Sequence, residues 1–513
     1  MKSDFKKNIK KGSMIMKKLM SLFLITVLCS ALLLSSCKRE DTASNSNSNS
    51  NSNSNVDSNS NFDANSNANS NENNSTSNDD ALQKPLGIMD KISMAMNNAV
   101  SYETSNELNI NALVSGQSVK IEGDATGLYS NEDNELYYYS NTEMLVNFGD
   151  TESVVQYLEA YKDGYYFFSY EADGKDPIKI RSQNTETEFI EYYNKFLSTE
   201  SLLKDYGEID SVENADKTNV ITLKKFKTSA IRMLNNQMGF PFESDGVKIE
   251  DIKVTITTGA DYLINEAKID FLFSDNESVG GEKITFSNYN KSEKGNDGIS
   301  KYYYFIVDDA RALPMLSALI SNAQAKENGS FDFSYMMQSQ MLGSKETYEE
   351  ISDISYGVLN GKYYFNIKSE INGTACTITY NDGVYKIDGT VQEGYNDFLA
   401  EAFINGCIDP FSFTVNQAND NYIKRTVGND GSIVYTIALK PEKTPIKDLV
   451  KGIFNNNGIS YQGVEIKVEF VIKDYELVSM KYLIDGTGYI RESNSTYYAG
   501  LDIITNAVFK SES

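Results

Sequence analysis

The sequence contains no histidine and no tryptophan, and only four cysteines and seven prolines in 513 residues. Without histidine there is no Ser-His-Asp or Cys-His nucleophilic site and no histidine-ligated metal. Neither G-x-x-x-x-G-K-[ST] nor G-x-G-x-x-G occurs, so no phosphate-cradling loop is present and no cofactor is expected. Positive charge is scarce as well, with 47 Lys+Arg against 72 Asp+Glu. An acidic body of this kind does not bind nucleic acid, whose phosphates demand a basic surface. A paired-acid glycosidase is compatible with the composition, but among so many carboxylates a solvated acidic surface is the better reading. The chain is therefore read as non-enzymatic.

Long apolar runs are also lacking, with one exception at the start. Leu19 to Leu34 follows Lys17 and Lys18 and ends in Ser35-Ser36-Cys37. A basic start, a short apolar core and small residues before a cut make a secretory signal peptide. A transmembrane span needs roughly 20 apolar residues, and Ser21 and Ser30 interrupt this run. Leu34-Ser35-Ser36-Cys37 resembles the lipobox of bacterial lipoprotein precursors. That resemblance implies lipidation of Cys37, cleavage just before it, and a protein held to the outer face of the cell membrane, of the kind found on Gram-positive surfaces. Translation starts at Met1 or at Met16, since either gives a complete signal peptide. Loss of residues 1–36 removes seven lysines and one aspartate, leaving 40 Lys+Arg, 71 Asp+Glu and a formal charge of −31.

Residues 37–80 follow as a tether. From 44 to 78 the chain is almost wholly Ser and Asn, with Phe62 the single large apolar side chain. Such a segment cannot bury enough surface to offset ordering entropy. About 40 residues of coil reach roughly 35 Å.

The remaining chain repeats itself. "YKDGYY" (Tyr161–Tyr166) recurs as "YNDGVY" (Tyr380–Tyr385), "GVKIEDIKVTI" from Gly246 as "GVEIKVEFVI" from Gly463, and "DYLINEAKID" from Asp261 as "DYELVSMKYLID" from Asp474. Met89, Ile92 and Met96 lie at helical spacing, as do Leu316, Leu319 and Ala323. Pro85 and Pro314 stand near the starts of these helices, where proline is tolerated. The spacing predicts a tandem duplication, 81–308 and 309–513. Each half is expected to open with an amphipathic helix and continue as a long antiparallel meander. Asp-Gly or Asn-Gly pairs at 163–164, 360–361, 372–373, 382–383 and 430–431 supply the positive φ of tight hairpins. Helices are expected at 185–197 and 391–403, and again near 227–238 and 443–455. "YYY" (137–139) and "YYYF" (302–305) read as strands with tyrosine on both faces.

The predicted fold class is α+β, two tandem antiparallel sheets with packed helices. This order of elements resembles the LolA/LppX-like lipoprotein-carrier fold, an unclosed, curved half-barrel around helices. The resemblance implies an apolar cavity, lined by Met89, Ile92, Met96, Leu316 and Leu319, and the flexible methionines of the first opening helix make the larger cavity that of the first half. It makes an apolar or lipidic envelope molecule the expected partner beside the membrane itself. The rival reading is a structural or cell-wall interaction lipoprotein without a cavity. Cys376 and Cys407 are either a disulfide, as is common outside the cell, or two separate buried thiols. "SNEDNE" (130–135) and "GNDG" (295–298 and 428–431) lack the spacing of a calcium loop and read as turns.

Overall fold

The computed structural model describes residues 87–510 apart from short stretches, the longest being 197–206, 233–246 and 292–298. The signal peptide, Cys37, the tether and Gly246 lie outside the described residues.

Alternation builds the strands. In β1 (Ser101–Val114) the side chains of Tyr102, Thr104, Asn106, Leu108, Ile110 and Ala112 are buried, while Glu107, Asn109 and Asn111 between them are exposed. That is the period of a strand with one covered face. A meander continues through β2 (Gln117–Glu132), β3 (Glu135–Phe148), β4 (Thr151–Lys162), β5 (Tyr165–Ala172) and β6 (Ile178–Gln183). A second run follows as β7 (Glu208–Ala215), β8 (Thr218–Lys224), β9 (Ile249–Thr258), β10 (Ile264–Phe273) and β11 (Val279–Ser287). The two-residue β12 (Phe305–Ile306) joins the edge, parallel to β6, and all other pairs are antiparallel. The order is β12-β6-β5-β4-β3-β2-β1-β11-β10-β9-β8-β7.

The second sheet starts with β13 (Asn328–Met341), β14 (Ser344–Leu359), β15 (Lys362–Ile371), β16 (Thr374–Asn381), β17 (Val384–Ile387) and β18 (Thr390–Gln392). It ends with β19 (Ala418–Val427), β20 (Ile433–Leu439), β21 (Ser460–Lys473), β22 (Glu476–Glu492) and β23 (Ser495–Phe509). Its order is β18-β17-β16-β15-β14-β13-β23-β22-β21-β20-β19. Apart from β12, each strand of the first sheet thus has a counterpart twelve strands later at the same place. Neither sheet closes into a barrel. Tyr161 pairs with Tyr166 across one hairpin, and Tyr380 with Tyr385 across its counterpart. Both residues of Asp163-Gly164, Asn372-Gly373 and Asp382-Gly383 have positive φ, which matches the right-handed twist of the flanking strands.

Among the elements described in full, five helices pack on these sheets: α1 (Ile88–Asn97), α2 (Glu186–Phe196), α3 (Ala312–Ala325), α4 (Asp397–Ile408) and α5 (Ile446–Asn456). The expected helix at 391–403 begins later, because Thr390–Gln392 pair with β17 and the Asn396 side chain caps the helix by accepting from the Leu399 N–H at 3.0 Å. The 302–305 segment also departs from expectation. Lys301–Tyr303 form a short 3-10 turn with Tyr302 and Tyr303 exposed, and only Phe305 and Ile306 reach a sheet edge.

The opening helix of the second half is not amphipathic. Ten of the fourteen residues of α3 are buried, the signature of a helix enclosed on every side. Leu316 and Leu319 belong to an apolar core that extends continuously from the first sheet into the second, whereas Ala323 joins a smaller cluster under β14–β16 and α4. Just before α3 the connecting segment is stitched to both sheets. The Val307 N–H donates to the Arg181 carbonyl on β6, and the Asp308 N–H donates to the Ile423 carbonyl on β19.

Buried ion pairs fix this junction. Arg311 donates from Nε and Nη2 to both carboxylate oxygens of Asp309, at 2.9 and 2.7 Å, and from Nη1 to the Glu188 carbonyl at 2.7 Å. Tyr435 on β20 donates to Asp309 at 2.7 Å. Burial pushes the Asp309 carboxyl up, but the hydrogen bonds and charge of Arg311 outweigh it and hold the carboxyl below its ordinary range. Every oxygen of this carboxylate is thus compensated.

Candidate functional site

One buried carboxylate is not compensated in that way. On β4, Val155, Tyr157, Glu159 and Tyr161 alternate onto the covered face, so the strand period carries an acid into the core. Glu159 is 1 % exposed. The strand register places Ser140 of β3 on one side of it and Phe168 of β5 on the other. Tyr157 donates its hydroxyl to Glu159 Oε1. Glu159 Oε2, the hydroxyls of Tyr138 and Tyr166, and Thr142 Oγ1 are buried without a hydrogen-bond partner. An unpaired buried polar atom costs about 1–3 kcal/mol, so a group of them in one place calls for an explanation.

The helix above the site is well specified. Thr185 and Glu188 form a capping box, the Thr185 N–H donating to Glu188 Oε2 at 3.0 Å and the Glu188 N–H to Thr185 Oγ1 at 3.2 Å. From that start α2 turns Phe189, Tyr192 and Tyr193 toward the sheet, at the spacing of one helix face. Phe189 stacks on Tyr161 with ring centroids 4.5 Å apart, and Tyr192 meets Tyr166 edge-on at 5.7 Å. Tyr157 meets Phe168 edge-on at 5.2 Å. The aromatic chain continues from Tyr138 through Tyr193, Tyr129 and Tyr102 to Tyr289. Tyr289 in turn touches Met96 of α1.

Burial pushes the Glu159 carboxyl up to about 7, with the phenols of Tyr157 and Tyr166 working against it. Burial and then the nearby Glu159 charge push the hydroxyls of Tyr138, Tyr157, Tyr166 and Tyr192 upward. These phenols remain protonated in the physiological range, whereas Glu159 titrates within it.

The second half supplies an internal comparison. Its hairpin pair Tyr380 and Tyr385 corresponds to Tyr161 and Tyr166, so Ile378 stands where Glu159 stands. The rows can be read across the sheets. Glu159, Ser140 and Gly127 face one another on β4, β3 and β2, while Ile378, Ile367 and Ile354 do so on β16, β15 and β14. Three isoleucines fill the second row. The first row has a glycine, a serine and a carboxylate, and the next row adds Thr142 and Ala125. This architecture does not require an acid at that position.

The residues expected from the sequence to line a cavity lie in or against the apolar core. Ile92, Met96, Leu316 and Leu319 are buried core residues and Met89 packs half-buried against the same core. Cys376 and Cys407 are both free thiols in this structure, the former half-buried and the latter buried. Cys376 occupies the position of Tyr157 in the repeat, and burial pushes the Cys407 thiol up to about 12. Among the described residues no group of His, Cys, Asp and Glu is arranged to hold a metal ion. The 428–431 segment is a turn closed by the Gly428 N–H donating to the Ser432 carbonyl at 2.7 Å. Glu159 was the residue missed. Its signal was an acid at an inward position of an otherwise apolar alternation, Val155-x-Tyr157-x-Glu159-x-Tyr161.

No protein-family model and no curated protein matches this chain. Among solved structures, it is similar to a DUF1329 family protein from Desulfovibrio piger, with 12 % identity, 44 % of this chain and 98 % of the other covered, and a TM-score of 0.16. A putative AttH from Nitrosomonas europaea gives 5 % identity, 79 % and 93 % coverage, and a TM-score of 0.11. PNGF-II gives 9 % identity, 79 % and 67 % coverage, and a TM-score of 0.16. Likenesses at this level carry no argument about fold or function. Among the described residues no helix is long and apolar enough to cross a membrane.

Proposed function

We propose that this protein is an extracytoplasmic lipoprotein, anchored to the membrane through Cys37, whose first sheet binds an apolar envelope molecule without transforming it. On this reading the sheets are the curved, unclosed half-barrels of a carrier. The observation that carries the proposal is the contrast between the Glu159-Ser140-Gly127 row and the Ile378-Ile367-Ile354 row. Small side chains and unpartnered polar atoms lie within an aromatic wall in one half, and packed isoleucines lie at the same place in the other. A mostly apolar site with a few polar groups is the usual make-up of a small-molecule pocket.

Two measurements test this reading. The uncharged dye Nile red should bind the mature protein and fluoresce in an apolar environment, and a dye that stays dark at all concentrations removes the binding site. Cys37→Ser should move the protein from the membrane fraction to the medium or to the unprocessed precursor. A processed variant that still sediments with membranes removes the anchor.

A further inference from the structure

The polar groups left over in the first sheet specify what the ligand must bring. Glu159 Oε2 is an acceptor with no donor in hydrogen-bond geometry, the Tyr166 phenol lying close to the carboxyl without closing such a bond. Around it are the unpartnered hydroxyls of Tyr138, Tyr166 and Thr142, each able to accept, and the rings of Tyr157 and Tyr192, whose faces attract cations. The Arg311 guanidinium lies 5.9 Å from the Tyr192 ring and is bonded to Asp309 and the Glu188 carbonyl. It leaves Glu159 uncompensated. The contrast with Asp409 in the second half is informative, because that buried carboxylate is met by the Tyr482 hydroxyl at 2.6 Å and the Phe413 N–H at 2.7 Å. This protein can complete a buried carboxylate from its own groups, whereas at Glu159 only Tyr157 donates in full hydrogen-bond geometry, with the Tyr166 phenol close by.

Resting on the reading above that the first sheet holds an apolar ligand, we infer that the ligand is an amphiphile with a primary or secondary amine, whose ammonium donates to Glu159 Oε2. A primary or secondary ammonium brings both the donor and the charge. A quaternary ammonium has no N–H to donate, an alcohol has no charge, and a fatty acid sets a second carboxylate against the first. Charge-assisted hydrogen bonds are roughly twice as strong as neutral ones, and a cation over tyrosine adds to this in a desolvated site.

The test compares decylamine, decanol and decanoic acid by calorimetric titration of the mature wild-type protein, Glu159→Gln and Tyr138→Phe. Wild type should bind the amine about tenfold more tightly than the alcohol, and the acid more weakly than either. Glu159→Gln keeps the size of the side chain and an acceptor for Tyr157, and should remove the preference for amine while still binding decanol. Tyr138→Phe keeps the ring and should weaken amine binding more than decanol binding. If wild type binds amine and alcohol equally, the ammonium inference is wrong and the apolar site stands. If Glu159→Gln folds and keeps the amine preference, Glu159 is not the recognition group and the inference is overturned. If nothing binds and Nile red stays dark, the polar atoms serve only buried water and both readings fall together.

Discussion

Between pH 5 and pH 8 the wild-type protein should lose about 2.5 kcal/mol more stability than Glu159→Gln does. The carboxyl of Glu159 is held at about 7 in the folded protein against an ordinary 4.5. At low pH it is protonated in both states and its contribution is fully present. As pH rises past 4.5 the unfolded chain releases this proton while the folded protein keeps it, so folding becomes progressively less favourable until the folded-state value near 7. Above that value both states are ionised and the loss stops. The phenols of Tyr138, Tyr157, Tyr166 and Tyr192 and the guanidinium of Arg311 surround the site and do not titrate in this window. Asp309 and Asp409 have their own shifts, downward and upward respectively, but they act equally in both proteins. The difference between the two urea-unfolding series therefore isolates Glu159. Parallel pH profiles would show that the carboxyl is not buried against its charge.

The second large effect is expected at the junction. Asp309→Ala should destabilise the protein by about 3–5 kcal/mol, because it leaves the Arg311 charge buried without its counter-ion. Arg311 is 3 % exposed, and Tyr435 loses the acceptor of its hydroxyl at the same time. Lys362→Ala provides the contrast. Its 2.7 Å pair with Asp382 lies at the surface, where such pairs are worth about 0–1 kcal/mol. Equal effects of the two substitutions in denaturant unfolding would show that the 309–311 segment does not hold the two halves together.

Much of the architecture was legible because strand alternation and turn chemistry are local. Asp163-Gly164 and Asp382-Gly383 announced their hairpins, and the repeated motifs fell on counterpart strands. What the sequence hid depends on contacts between distant elements. The apolar periodicity of α3 reads as one face, yet the helix is enclosed because residues from both halves cover it. Residues 391 and 392 read as helix until pairing with β17 outweighs local propensity. Tyr302 and Tyr303 read as strand, but the sheet edge they approach takes only Phe305 and Ile306. Glu159 was concealed differently. One acid among 72 carries no signal until the register sets it between Ser140 and Phe168 and its repeat counterpart proves to be Ile378. The expected lining residues on α1 and α3 were apolar residues at helical spacing, and that pattern describes a core as well as a cavity.

The central claim is a lipid-anchored protein holding an apolar amine in its first sheet. Intact mass spectrometry of the protein purified from its own host, recorded first under native and then under denaturing conditions, tests it most directly. The expected denatured mass is that of a chain beginning at Cys37 with acyl chains attached, and the expected native mass is larger by one small molecule carrying a basic nitrogen. An unmodified amino terminus, together with identical native and denatured masses, would contradict it.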